Sequence, residues 1–288
     1  MAIYTECADD VQGKNTGAVN QCLEAITIRH ILAPLGQKFD TRILAKSLEE
    51  WKDQIAAKQL IPLYDAENLA IADTEPTFEE TRKQRLKVVE GKKIRTFEYK
   101  LGFCSHAALT SYDGKKMQVY EITEDGELLA VSKDGVTVQG QTVVVEVGMR
   151  KSTLADKKAF TMVTLSYTNF RELEQDGQML SLPFGESDVM GIFDATIEQV
   201  SASATELKFK VVAGCEGTPV TSFEDADFTF KTSAGVDKVH SFVAADSEGV
   251  YTITGTGFVS GDVLNLDGVI QQTEASYESV APLSIVVS

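Results

Sequence analysis

Beyond residue 192 the chain loses almost all of its basic side chains and becomes a succession of short runs in which apolar and polar residues alternate. Residues 193–288 hold four Lys, no Arg and fourteen Asp or Glu, so this third of the chain carries −10 of the total formal charge of −16. The first 192 residues are nearer balance, with 23 Lys or Arg against 29 Asp or Glu. A joint shift of charge and pattern marks a boundary between independently folding units, and 288 residues accommodate two of ordinary size. The sequence therefore predicts a body over 1–192 and an appended β-sandwich over 193–288.

The appended part reads as about seven strands, over 195–200, 206–212, 227–232, 239–243, 250–254, 262–266 and 283–287, separated by turn chemistry. Seven short strands in roughly 95 residues is the expectation for an immunoglobulin-like sandwich. The Cys and Trp of antibody domains are missing, since the segment has Cys215 alone and no Trp. The expectation is thus of a disulfide-free Ig-like module.

The body is also mainly β. Residues 117–123, an Asp125-Gly126 turn and residues 128–132 form a strong hairpin signal, and further strands are expected over 135–139, 142–147 and 160–167. In the run 94–101, Arg95, Phe97, Tyr99 and Leu101 alternate with Ile94, Thr96, Glu98 and Lys100, the period of a half-buried strand. With 85–89 before it and Glu90-Gly91-Lys92-Lys93 as the turn, it predicts a long charged hairpin. One helix is expected over 42–58, capped by Asp40 or Thr41, with Ile43, Leu44, Leu48, Trp51 and Ile55 on one stripe. A shorter helix is expected from a Ser105 cap to Tyr112. Residues 17–40 are apolar but ambiguous between helix and strand. The predicted fold class is mainly β with minor α: an antiparallel sandwich or barrel with a packing helix, followed by the Ig-like sandwich.

Chemistry is hard to find in this chain. His30, His106 and His240 are far apart, with no metal-binding spacing between them. Cys7, Cys22, Cys104 and Cys215 form no C-x-x-C pair and read as reduced, buried residues. Gly185-Glu-Ser187 lacks the second glycine of a nucleophile elbow, and Gly255-Thr-Gly257 reads as a turn. The Asp residues at 113, 125, 134, 156 and 176 suit turns and form no calcium-loop array. No catalytic residue, metal or cofactor is expected. The basic residues Arg82, Lys83, Arg85, Lys87, Lys92, Lys93 and Arg95 are interleaved with Glu79, Glu80, Glu90 and Glu98. Together with a sequence pI near 4.7, this argues against tight nucleic-acid binding, which gains its affinity from displaced counterions. The N-terminus reads as lacking a secretory leader, and no run approaches the roughly 20 apolar residues of a membrane span. The expectation is a protein made and kept in a cytoplasm.

An acidic β-rich body with a packing helix, a long charged hairpin and a C-terminal Ig-like module resembles the tail tube proteins of long-tailed bacteriophages. The likeness is one of layout, best over residues 78–170 and next over the appended module. It implies a structural virion protein whose copies form rings, usually hexamers, stacked into a tube through which DNA passes without specific binding. It implies assembly in the host cytoplasm, residence in the virion tail, and contact with other tail or virion proteins. On that reading the hairpin residues Arg85, Lys87, Lys92, Lys93, Arg95, Phe97 and Tyr99 lie between protomers. Residues 1–75, including the Trp51 helix, exceed what a minimal tube protomer needs. Alternative readings are a head decoration, collar or connector protein, or a carbohydrate-binding adhesive module with rings exposed for sugar stacking.

Overall fold

A computed structural model describes residues 4–5, 25–63, 66–80, 84–100, 103–154, 158–169, 171–214, 217–272 and 275–287. The chain is mainly β, with antiparallel sheets and four short helices among the described residues. It forms two compact units, Met1–Val189 and Met190–Ser288.

The first unit is built on a ten-stranded sheet. Its centre is the strand Lys116–Thr123, which pairs with Thr27–Ala33, Glu127–Val131 and Gln141–Val147. Beyond Gln141–Val147 the order continues through Thr161–Tyr167 and Ile94–Tyr99 to Glu67–Ile71. Alternation decides what each face does. Val143, Val145, Val163, Leu165, Phe97 and Tyr99 turn to one side and form a core with Leu32, Met117 and Val119. The residues between them turn to the other side and stay half exposed or open. The ambiguous apolar run resolves as the strand Thr27–Ala33; it is buried nearly throughout because neighbours cover both its faces.

The helix expected over 42–58 is broken in two. Thr41 caps Arg42–Ala45 and Ser47 caps Leu48–Ala56, each hydroxyl accepting the amide three residues on, from Leu44 (3.3 Å) and Glu50 (3.4 Å). A second cap inside the apolar periodicity gives the backbone a competing partner, so the chain turns there. The Trp51 indole donates to the Ala45 carbonyl at 2.8 Å, using an acceptor that the break leaves without an intrahelical donor. Only Trp51 and Ile55 of the expected stripe are buried, Trp51 against Phe39, Tyr120 and Phe184, while Ile43 is 81% exposed.

Three other expectations change. Of residues 135–139, expected as a strand, only Val138 and Gln139 bridge, to Phe39 and Val131; the rest turn because Asp134 Oδ1 accepts from the amides of Val136 and Thr137 and from the hydroxyls of Ser132 and Thr137. The short helix is Phe103–Thr110, beginning before Ser105. The helix Glu172–Asp176 and the strand Gly177–Ser181 were not legible, the strand pairing with Glu127–Val131. Cys7, Cys22, Cys215, Arg82, Lys83 and Asp156 lie outside the described residues.

In the second unit one sheet contains the order His240–Val243, Val250–Gly255, Glu206–Ala213, Ile192–Ala202, and a second contains Phe228–Lys231, Val263–Leu266, Leu283–Ser284. This is the four-plus-three division of an Ig-type sandwich. Two short strands not foreseen, Val269–Gln271 and Ser276–Ser279, extend the larger sheet beyond Ile192–Ala202. Phe209 and Tyr251 from one sheet meet Phe228 from the other at ring-centroid distances of 5.3 and 5.8 Å, closing the core without a disulfide.

Candidate assembly surface

The expected strands 85–89 and 94–99 form, but they do not pair with each other, and the chain does not reverse at 90–93. The run expected to fold back on itself at 90–93 is one continuous arm. Arg85–Val89 pairs with Thr77–Glu80, and Ile94–Tyr99 pairs with Glu67–Ile71. Between these ladders Ala72 donates to Ile94, and Thr74 and Lys92 exchange backbone bonds of 2.9 and 3.0 Å. The two arms therefore run together from Glu67 and Tyr99 as far as Glu80 and Arg85.

Glu90-Gly91-Lys92-Lys93, taken from sequence for a turn, is a joint. Gly91 is buried; a Cβ there would lie 2.7 Å from the Thr74 carbonyl oxygen and 3.2 Å from Pro76 Cδ. Glycine is needed for close approach of the second arm, not to reverse the chain. Thr77-Phe-Glu-Glu80 lacks strand alternation, so the partner strand did not announce itself.

Beyond the joint every residue of Thr77–Glu80 and Arg85–Val89 is exposed. Register places Phe78 with Lys87 and Glu80 with Arg85 on one face, and Glu79 with Leu86, next to Val88, on the other. Arg85 lies 4.3 Å from the Phe78 ring centroid and 3.7 Å from Glu80 Oε1, and Lys87 pairs with Glu90. The ribbon is apolar and charged on both faces.

The seven residues expected between protomers divide into three groups. Arg85, Lys87 and Lys92 are exposed on the arm. Phe97 and Tyr99 are 2% and 0% exposed and belong to the chain's own core, which corrects their placement between protomers. Lys93 and Arg95 turn inward at the mouth of that core. Arg95 pairs with Asp73, and this bond holds the Asp73 carboxyl below its usual range. Lys93 Nζ sits 3.3 Å from Gln141 Oε1 and 4.2 Å from the Tyr167 ring centroid.

Lys93 and Arg95 line a cleft of about 230 Å³ with Thr27, Leu69, Phe97 and Glu121. Glu121 is buried on the central strand and accepts from Tyr167, from Gln141 Nε2 (3.1 Å) and from Thr27 Oγ1 (3.2 Å). Burial would raise its pKa, but the positive charge of Lys93 and these hydroxyl bonds outweigh that and hold it below the ordinary value. His30, opposite Glu121 in register, bonds Tyr99 at 3.0 Å through Nδ1 and has its pKa lowered by burial to about 4. Sequence reasoning missed this cluster because its members come from five separate strands or strand ends. Its bonds are mutual, and it ties the inner face of the sheet together.

The opposite face of the three strands Ile94–Tyr99, Thr161–Tyr167 and Gln141–Val147 has another character. Ile94, Thr96, Glu98, Met162, Thr164, Ser166, Thr142, Val144 and Glu146 alternate with the core residues, and none of these nine positions is basic. Thr96 and Thr164 hydroxyls meet across the ladder at 3.0 Å. The sheet order ends on Glu67–Ile71, where Leu69 and Ile71 are 39% and 63% exposed, so an edge with apolar side chains is open among the described residues.

The other candidate groups stay apart. His106 bonds Thr161, and His240 bonds Asp225 and the Lys238 carbonyl. No group of three His, Cys, Asp or Glu is placed to hold a metal ion among the described residues, and no described helix is long and apolar enough to cross a membrane. No protein-family model matches the chain, and no curated protein matches it in sequence.

Proposed function

We propose that this protein is a structural protomer that assembles with copies of itself into stacked rings, forming the tail tube of a long-tailed phage, the conduit for DNA ejection. The observation that carries the reading is the hairpin Glu67–Tyr99, whose outer ribbon exposes Phe78, Leu86, Val88 and Val89 on two faces. A two-stranded ribbon is marginally stable alone, and one with apolar side chains on both faces is suited to insertion between partners. The open edge at Glu67–Ile71 offers a second contact, by which sheets of neighbouring copies join.

On this reading the polar face bearing Thr96, Thr164, Ser166, Glu98 and Glu146 lines the lumen. With hydroxyls and carboxylates at these positions and no basic side chain among them, nothing there displaces the counterions of DNA, so it passes without binding. The Ig-type unit, with a charge of −10, stands outside the tube, where salt screens its repulsion from neighbours. The work is assembly and not catalysis, done in the host cytoplasm and completed in the virion tail with other tail proteins. The carbohydrate-binding alternative has less support, because Phe223, Phe228, Phe230, Tyr251 and Phe258 are all committed to the core of the second unit.

Negative-stain microscopy of the purified protein tests the reading. Tubes or stacked rings are expected. Monomers at high concentration, or trimers that bind capsids, would remove the tube and point to a decoration protein. Truncation after Met190 separates the roles of the units: tubes of smaller outer diameter are expected, and an unchanged outline with a wider lumen would place the Ig-type unit inside.

A further inference from the structure

The second unit contains an arrangement that the assembly reading does not use. Lys238 lies in the connection between Phe228–Lys231 and His240–Val243, and its amide donates to the Phe230 carbonyl at 2.9 Å. Asp262 immediately precedes Val263–Leu266 in the smaller sheet. The Lys238 Nζ is 2.5 Å from Asp262 Oδ2, with the lysine side chain 11% exposed and the aspartate 0%. The rings of Phe258 and Phe230 stand 5.4 and 6.0 Å from the nitrogen and form an apolar wall beside it.

The remaining contacts divide the labour around this pair. The Gly257 carbonyl accepts from Nζ at 2.5 Å and fixes the direction in which the nitrogen faces. The Val259 amide donates to Oδ2 at 2.9 Å, where it would stabilise charge developing on that oxygen. Asp262 Oδ1 is buried without a hydrogen-bond donor. One carboxylate oxygen is therefore held and the other is unrestrained.

We propose that Lys238 and Asp262 condense into an intramolecular amide that staples the Ig-type unit. A proton first passes from the Lys238 ammonium to the Asp262 carboxylate; the lone pair so freed attacks Cγ, the new N–C bond forms, and the C–Oδ1 bond breaks. Oδ1 leaves as water with two of the three ammonium protons, and the third stays on the amide nitrogen, facing the Gly257 carbonyl. Oδ2 becomes the amide oxygen and keeps its bond from Val259. No oxidant or cofactor enters. The driving force is physical: two charges taken out of water give way to one neutral, hydrogen-bonded group, and fixed proximity replaces a bimolecular encounter. The staple would tie the connection between the two sheets to the start of Val263–Leu266, and protect an exposed module against shear and proteolysis.

Tryptic mapping of the full chain, folded, incubated and then denatured, tests this directly. Residues 239–288 contain no Lys or Arg, so a free Lys238 releases the peptide 232–238, whereas an amide at Lys238 blocks that cut. The expected product is one peptide spanning 232–288 and lighter than its sequence by one water. Lys238→Arg keeps the charge, cannot form the amide, and should release 232–238 at full sequence mass. Release of 232–238 from the unaltered protein, with no loss of water, overturns the proposal whether or not the variant folds.

Discussion

Replacing Leu86 and Val88 together by Glu tests whether the ribbon is an interface. Both side chains point to one face of the outer ribbon, and they are 49% and 61% exposed. Full burial of such a side chain is worth about 1.5–3 kcal/mol. With roughly half of each left to bury, docking this face gains about 2 kcal/mol from the pair. That corresponds to roughly 30-fold in each association step, and two buried carboxylates would add to the loss. Folding should be little affected, because exposed substitutions of this kind stay within about 0.5 kcal/mol. Sedimentation velocity over a concentration series, with circular dichroism and denaturant melts on the same samples, reads both quantities. The expected result is a folded monomer at concentrations where the unaltered protein assembles. An unchanged assembly threshold would refute the reasoning and leave the ribbon without a role between protomers. Deleting 90–93 is a poorer test, because Gly91 and Lys93 hold the body's own structure.

Further outcomes follow from the same geometry. Gly91→Val should destabilise the hairpin joint by about 1–3 kcal/mol through overpacking against Thr74 and Pro76, seen as a lower denaturant midpoint; an unchanged midpoint would mean that the arms can separate freely there. Trp51→Ala should cost about 3–5 kcal/mol by leaving a cavity among Phe39, Tyr120 and Phe184, and a loss below 1 kcal/mol in urea melts would show that the helix is not part of the cooperative body. His30 is neutral when buried and has its pKa lowered from 6.5 to about 4. The unfolded chain therefore binds more protons between those values, and stability falls as pH drops through that window, by about 3 kcal/mol in all. His30→Gln should flatten that slope in melts at pH 7, 5.5 and 4, leaving only the carboxylate losses at lower pH; an unaltered slope would assign the acid sensitivity elsewhere.

What the sequence determined by itself was what local pattern and composition control. Alternation at Phe97 and Tyr99 and at 161–167 identified strands, because one buried face imposes a period of two whatever the partner. Asp125-Gly126 identified its turn because the backbone there, with Gly126 at φ 75°, favours glycine. The change of charge near residue 192 lies close to the division at Val189 and Met190. Pairing was decided only in three dimensions. The run Arg85–Tyr99 carries the same alternation whether it folds on itself or lies against Glu67–Glu80, and Gly91 serves a turn and a close approach equally well. The Lys93, Glu121, His30, Tyr167 and Gln141 cluster was invisible for a related reason. Each of these residues is ordinary in its own segment, and their complementarity exists only once strands distant in sequence are brought side by side.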